Sequence, residues 1–179
     1  MNADLASSVL LAEYEQLKKE QQGRLAIRDG SAYAGLGAQA AVVAAVVSGQ
    51  SPGLLLLLPP VVFLLGWTRL TNDRKVSSIR RYVREELAPG LAALVGEGSP
   101  VLFGWEAADE PRRTVHKGGQ LLADLLAFVV LPLAALVAYL VAARGPVPLG
   151  MVAGVEAVLL AGLAAEVVRY SEVFTRGAL

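Results

Sequence analysis

Few side chains in the apolar parts of this chain are equipped to do chemistry. Glu156 and Glu166 interrupt an otherwise uncharged run from Pro146 to Val168, Asp124 borders another that covers 125 to 143, and Gln39 lies inside a third from 30 to 68. Ionisable groups in an apolar span are expensive, so they face protein or water and take a partner where they can. Glu156 sits roughly 10 Å in from the outer end of its run, at about 1.5 Å per residue, and no basic residue lies at that depth. Two readings follow. Glu156 side chains from several copies ring a cation-attracting pore, or a protonated Glu156 hydrogen-bonds Gln39 or a backbone carbonyl and holds a bundle together. Asp124 and Glu166 lie near the opposite interface, where Arg112, Arg113, Lys117 or Arg169 can neutralise them, and read as anchors.

The kit for other chemistry is poor. His116 is the single histidine and stands among Arg112, Arg113 and Lys117, there is no cysteine, and no G-x-x-x-x-G-K-[ST], H-E-x-x-H or G-x-S-x-G motif occurs. A nucleophile, an acid–base pair and a metal site all need such groups together. The expectation is a protein that is not an enzyme and that holds no cofactor or metal. Formal net charge is zero, which gives no support for a nucleic-acid partner, since phosphate binding draws on a basic surplus.

The elements that must position these residues follow from hydropathy and charge. With 55% hydrophobic residues and a mean hydropathy of +0.52, the chain is too apolar for a soluble core. Apolar stretches near 31–48, 53–68, 121–143 and 147–168 read as four transmembrane helices in two hairpins. Gly49-Gln50-Ser51-Pro52 and Arg144–Pro148 make the two turns, and Pro59-Pro60 and Pro132 bend the second and third spans. Of 16 basic residues only Arg144 falls on the outer side of this arrangement. The positive-inside rule then puts both termini and residues 69–120 in the cytoplasm, as expected of an inner-membrane protein.

Two cytoplasmic helices are expected. Over residues 1–30, Leu10, Tyr14, Leu17 and Leu25 recur at helical spacing, and that helix runs on into the first span. After the second span, Thr71, Asn72 and Asp73 offer N-cap oxygens, and Val76, Ile79, Val83, Leu87, Leu91 and Leu94 make an apolar stripe ended or kinked at Pro89-Gly90. Arg74, Lys75, Arg80, Arg81 and Arg84 crowd its first turns. They suit lipid headgroups or a partner protein, and the stripe itself either meets acyl chains or packs on the N-terminal helix. Residues 96–111 read as irregular, with an apolar knot Val101–Trp105 whose Phe103 and Trp105 suit the membrane interface or a partner, and 169–179 form a tail.

Small residues mark close packing. Gly150, Gly154, Ala157, Ala161 and Ala164 line one face of the fourth span, and Ala34, Ala38, Ala41 and Ala45 one face of the first. Either these faces meet within one chain or the fourth-span stripe joins copies into a homo-oligomer. Glu156 points about 120° away from that stripe and so faces another neighbour.

The run Glu13-Tyr14-Glu15-Gln16-Leu17-Lys18-Lys19-Glu20-Gln21 before the first hairpin, with Asn72-Asp73-Arg74-Lys75 and Phe103-Gly104-Trp105-Glu106, resembles small integral membrane proteins of actinobacterial type, which carry no established activity. The layout of residues 10–95, a hairpin followed by an amphipathic helix, also resembles the SLATT-type two-span effector domains of bacterial conflict systems. That resemblance implies a pore opened when a partner senses infection, and the second hairpin departs from its two-span pattern. The expected protein is therefore an all-α, oligomeric membrane protein. It is either a pore-forming or membrane-perturbing effector in bacterial defence, controlled through its cytoplasmic helices, or a non-conducting scaffold that docks a cytoplasmic protein.

Overall fold

The computed structural model describes residues 3–95, 110–142 and 147–176. The Val101–Trp105 knot, with Phe103 and Trp105, and Arg144 lie outside them. Among the described residues all regular structure is helical, and four stretches are long and apolar enough to cross a bilayer: Leu5–Val47, Pro52–Leu94, Gly118–Val141 and Gly150–Tyr170.

Helix α1 runs unbroken over Ala3–Val47. Its 45 residues measure roughly 68 Å at about 1.5 Å per residue, more than twice a hydrocarbon core of about 30 Å. No proline interrupts it, and pairs such as Glu20–Arg24 (2.6 Å) support its charged half. It stops at Gly49, whose φ of 89° is the left-handed conformation that glycine adopts without a Cβ clash. The Gly49 amide donates to the Val46 carbonyl and the Gln50 amide to that of Ala45, the paired bonds of a Schellman cap.

A 3-10 segment, Pro52–Leu57, follows and leads into α2, Leu58–Tyr82. The sequence places Pro59-Pro60 within a span as a bend. The structure puts both in the first turn of α2, where the tighter 3-10 bond from the Leu58 amide already fills the Leu55 carbonyl that Pro59 cannot serve. A second correction concerns Thr71-Asn72-Asp73, which cap no new helix: α2 passes straight through them. Thr71 Oγ1 and Asn72 Nδ2 donate to the Thr68 carbonyl, and Thr71 also to that of Trp67, so these side chains bond back along a continuing helix.

Pro89-Gly90 does not end the stripe helix either. A π-turn at Val83–Leu87 precedes α3, Ala88–Val95, with the Ala88 amide reaching back to Val83. The same device recurs further on. Helix α4, Glu110–Leu125, passes through a π-turn at Leu126–Val130 into α5, Leu131–Ala142, and the Leu131 amide bonds the Leu126 carbonyl. Pro89 and Pro132 each stand two residues beyond their π-turn. The wider turn carries the i−4 carbonyl clear of the pyrrolidine ring, so the helix continues past the proline. Helix α6, Val147–Arg176, completes the described chain.

Residues 3–29 and 69–95, the outer parts of the first two of these helical stretches, form a pair of arms, each roughly 40 Å long at about 1.5 Å per residue. They run in opposite directions: Glu13 accepts from Tyr82 at 2.7 Å, while Arg28 donates to Asp73 at 3.1 Å. The stripe Ile79, Val83, Leu87 and Leu91 is buried against Leu10, Tyr14 and Leu17, which makes the arms a two-helix stalk. Below it lie two further clusters. Val62, Phe128 and Leu163 form the nearer one, and Leu55, Leu56, Leu58, Leu136, Tyr139 and Ala153 the farther one. The outward surface of these stretches is apolar, with Val47 and Val141 each 81% exposed. A hydrocarbon solvent accounts for such a surface and water does not.

Leu87, 2% exposed, holds the centre of the stalk. Leu87→Ala is expected to cost the stalk about 2–5 kcal/mol. Hydrogen exchange should then quicken at residues 10–17 and 79–91 while the amides around Phe128 keep their protection.

Candidate functional site

One polar side chain of the apolar bundle, Gln39, meets the proline turn of the third apolar stretch. Because the Leu131 amide bonds Leu126 in the π register, the carbonyl next in line is that of Ala127, and its donor would be residue 132, a proline without an N–H. Gln39 fills the gap. Its side-chain Nε2 donates to Ala127 O at 3.0 Å and to Gly35 O, one turn back in α1, at 3.2 Å. Gln39 is 7% exposed, so both bonds are made away from water. An interhelical hydrogen bond of this kind contributes about 0.6–2 kcal/mol in an apolar medium.

Phe128, one residue on, projects from the π-turn into a notch between α1 and α2. Two glycines make that notch. A Cβ on Gly66 would lie 2.8 Å from Leu163 Cδ2 and 3.1 Å from Phe128 Cδ1, and one on Gly35 would lie 3.3 Å from Phe128 Cε1. The ring, 3% exposed, is thus gripped by α1, α2 and α6 at one level.

Between the notch and the stalk lies a belt of ion pairs. Arg69 Nε donates to Asp124 Oδ1 at 2.8 Å and its Nη1 to the Arg28 carbonyl at 3.3 Å. Arg74 pairs with Glu166, which Arg169 also reaches at 3.1 Å. The Arg74 guanidinium lies 5.6 Å from the centre of the Tyr170 ring, and the Tyr170 hydroxyl is 2.8 Å from Ser77 Oγ. Arg28 joins Asp29 and Asp73. Burial works against its charge, yet the hydrogen bonds and attraction of those two carboxylates outweigh it and hold the guanidinium above its ordinary pKa. Asp124 is anchored, then, by Arg69 of α2; the side chains of Arg112, Arg113 and Lys117 lie outside the described ones.

Glu156 stands apart from this belt. It is 6% exposed on the inward face of α6, and its Oε2 has no hydrogen-bond partner. The bond to Gln39 that the sequence allows is not made, because the Gln39 amide is committed to the two carbonyls. Gly150, Gly154 and Ala161, by contrast, are exposed, with nothing within 4 Å of a Cβ on either glycine, and Ala157 is half-buried. The fourth-span stripe therefore does not meet the first span inside one chain. The inward residues of α6 are Ala153, Glu156, Leu160 and Leu163.

On the stalk, Lys75 and Arg81 are exposed, Arg80 is half-buried, and Arg84 bonds the neighbouring Glu85 at 3.2 Å. Arg74 differs from them in being drawn into the belt. No protein-family model, curated protein or solved structure matches the chain. Among the described residues no group of three or more histidine, cysteine, aspartate or glutamate side chains is placed to hold a metal ion. Neither the Arg69–Asp124 pair nor the glycine notch is legible in the sequence. Pro132 and Gln39 were its two readable signals, a missing donor and a donor in need of an acceptor, 93 residues apart.

Gly66→Ala should lower stability by about 1–3 kcal/mol through overpacking. Gly37→Ala, in open space on α1, should leave the melting temperature in detergent unchanged or slightly raised. Equal shifts for the two would show that Phe128 is not held in a notch.

Proposed function

We propose that this chain is an oligomeric multi-pass protein of the inner membrane that acts as a non-conducting scaffold and presents its stalk to a cytoplasmic protein. The carrying observation is the stalk itself, two paired arms of 27 residues that continue the first two apolar helices well past any bilayer. A helix needed only as an anchor ends near the interface after about 20 residues. Two apolar helices in register as a hairpin, a second such hairpin, and both termini on the basic side make one consistent topology, with the positive-inside rule as its support. The stalk carries Lys75 and Arg81 on its solvent side, available to headgroups or to the partner. The exposed Gly150, Gly154 and Ala161 face supports self-association, since small residues let two helix backbones approach closely in lipid.

A second reading, the pore-forming effector of bacterial defence, draws on one observation: a buried carboxyl, Glu156, whose Oε2 lacks a partner. In the packed chain that carboxyl faces the bundle interior, so a conducting form would require the helices to rearrange around it.

Ion flux separates these readings, and two further measurements test self-association and docking. In detergent, Gly154→Leu should reduce the particle to a smaller species while Gly37→Leu leaves it unchanged; identical masses would remove self-association through α6. In liposomes, wild-type protein of defined size should pass no ions. Flux that disappears in Glu156→Gln would overturn the scaffold and establish the effector. Docking is tested in cells by a photo-crosslinking residue at Arg81. One discrete cytoplasmic adduct, lost on charge reversal at Lys75, is the expected result, and adducts to lipid alone would count against a protein partner.

A further inference from the structure

Among the described residues Glu156 is the one buried carboxyl group in the bundle that the belt does not neutralise. Among the described residues each element packed near it offers no counter-charge. From 30 to 47, α1 offers only Tyr33, which is 76% exposed and turned outward, and the uncharged Gln39, whose amide is already used. Residues 52–68 contain no titratable side chain. The α4–α5 stretch offers Tyr139, buried in the farther apolar cluster, and Asp124, held by Arg69. On α6 itself Glu166 is ten residues away, roughly 15 Å at about 1.5 Å per residue, and paired with Arg74 and Arg169. Along α6 the neighbours on the inward face are Ala153 on one side and Leu160 and Leu163 on the other. A carboxylate in such surroundings, with neither counter-charge nor donor, loses several kcal/mol of hydration without return. The neutral acid avoids that loss.

We infer that Glu156 is a reversible proton-binding site that locks the bundle: with its proton the four apolar helices stay packed, and release of the proton drives α6 away from α4–α5. The proton leaves to water, and the charge left behind is hydrated only when the helices part.

The place where they part is already built. At Pro132 the third stretch lacks one backbone donor and is widened by the π-turn, so bending there breaks no main-chain bond across the proline and draws on the Gln39 to Ala127 hydrogen bond. Phe128, seated between Gly35 and Gly66 and touching Leu163, transmits that bend to the other three helices. The sign follows from the buried form being the protonated one. Acid favours the packed bundle, and rising pH opens it, by at most about tenfold in the open-to-packed ratio per pH unit for a single proton. This inference holds whether the stalk docks a protein or the bundle conducts.

The chain has no cysteine, so a single introduced thiol reports accessibility. Ala153→Cys places it on the inward face, at a position 2% exposed. Its alkylation by N-ethylmaleimide in liposomes is compared with that of Ala153→Cys in a Glu156→Gln background, which cancels the thiol's own titration. The expected ratio of the two rates climbs steeply from acid to alkaline pH, and the Glu156→Gln protein stays slow throughout. In parallel, the infrared carbonyl band of a protonated carboxylic acid should be present in the wild type at neutral pH and absent from Glu156→Gln. A ratio that does not change with pH overturns the lock, and a missing band overturns the proton site. If Ala153→Cys does not fold, Ala157→Cys on the half-buried side of the same helix takes its place.

Discussion

A helix in hydrocarbon has no water with which to satisfy its backbone, and that constraint explains most of what is irregular here. Each break in the regular ladder is met by a local device. At Gly49 a Schellman cap takes up the last carbonyls of α1. Before Pro59-Pro60 the chain tightens to a 3-10 helix, and before Pro132 it widens to a π-turn. Where the local device leaves a carbonyl over, at Ala127, a glutamine from another helix supplies the donor. The cost of an unsatisfied group in an apolar medium is several kcal/mol, more than any of these distortions requires. The same constraint gathers the bundle around one level. Gln39, Phe128, Gly35, Gly66 and Leu163 come together there because the π-turn that accommodates Pro132 also turns Phe128 into the other helices.

Charge is organised by the same reasoning from the other side. Arginines 28, 69 and 74 are placed where the apolar stretches meet the stalk, and each finds a carboxylate on a different segment. Individually, exposed ion pairs contribute little. Arg69 and Asp124 are 14% and 21% exposed, so removing either would leave the other half-buried and unpaired, and the pair serves to fix the register of α4 against α2. Beyond the belt the two arms need no further charge pairing to associate, since their apolar stripes bury each other.

Glu156 runs against this economy. Among the described residues the chain pairs its other bundle acids with arginine and leaves this one in an apolar interior. The exposed small-residue face, Gly150, Gly154 and Ala161, lies about 120° around the same helix. A movement of α6 would be felt at both faces.

Much of this was legible in the residues alone. Uncharged stretches of spanning length, a one-sided distribution of lysine and arginine, the stripe from Val76 to Leu91 and the isolation of Glu156 all follow from residue type and spacing, because hydropathy and helical periodicity act locally along the chain. What tertiary structure decided was pairing. Whether Thr71-Asn72-Asp73 begins a helix or continues one, whether Pro89 stops it, which arginine answers Asp124 and which way the glycines of α6 face all depend on neighbours 30 to 90 residues distant. A carbonyl left free by proline and a glutamine with an amide to spare are each visible in one dimension. Only packing brings them within 3.0 Å.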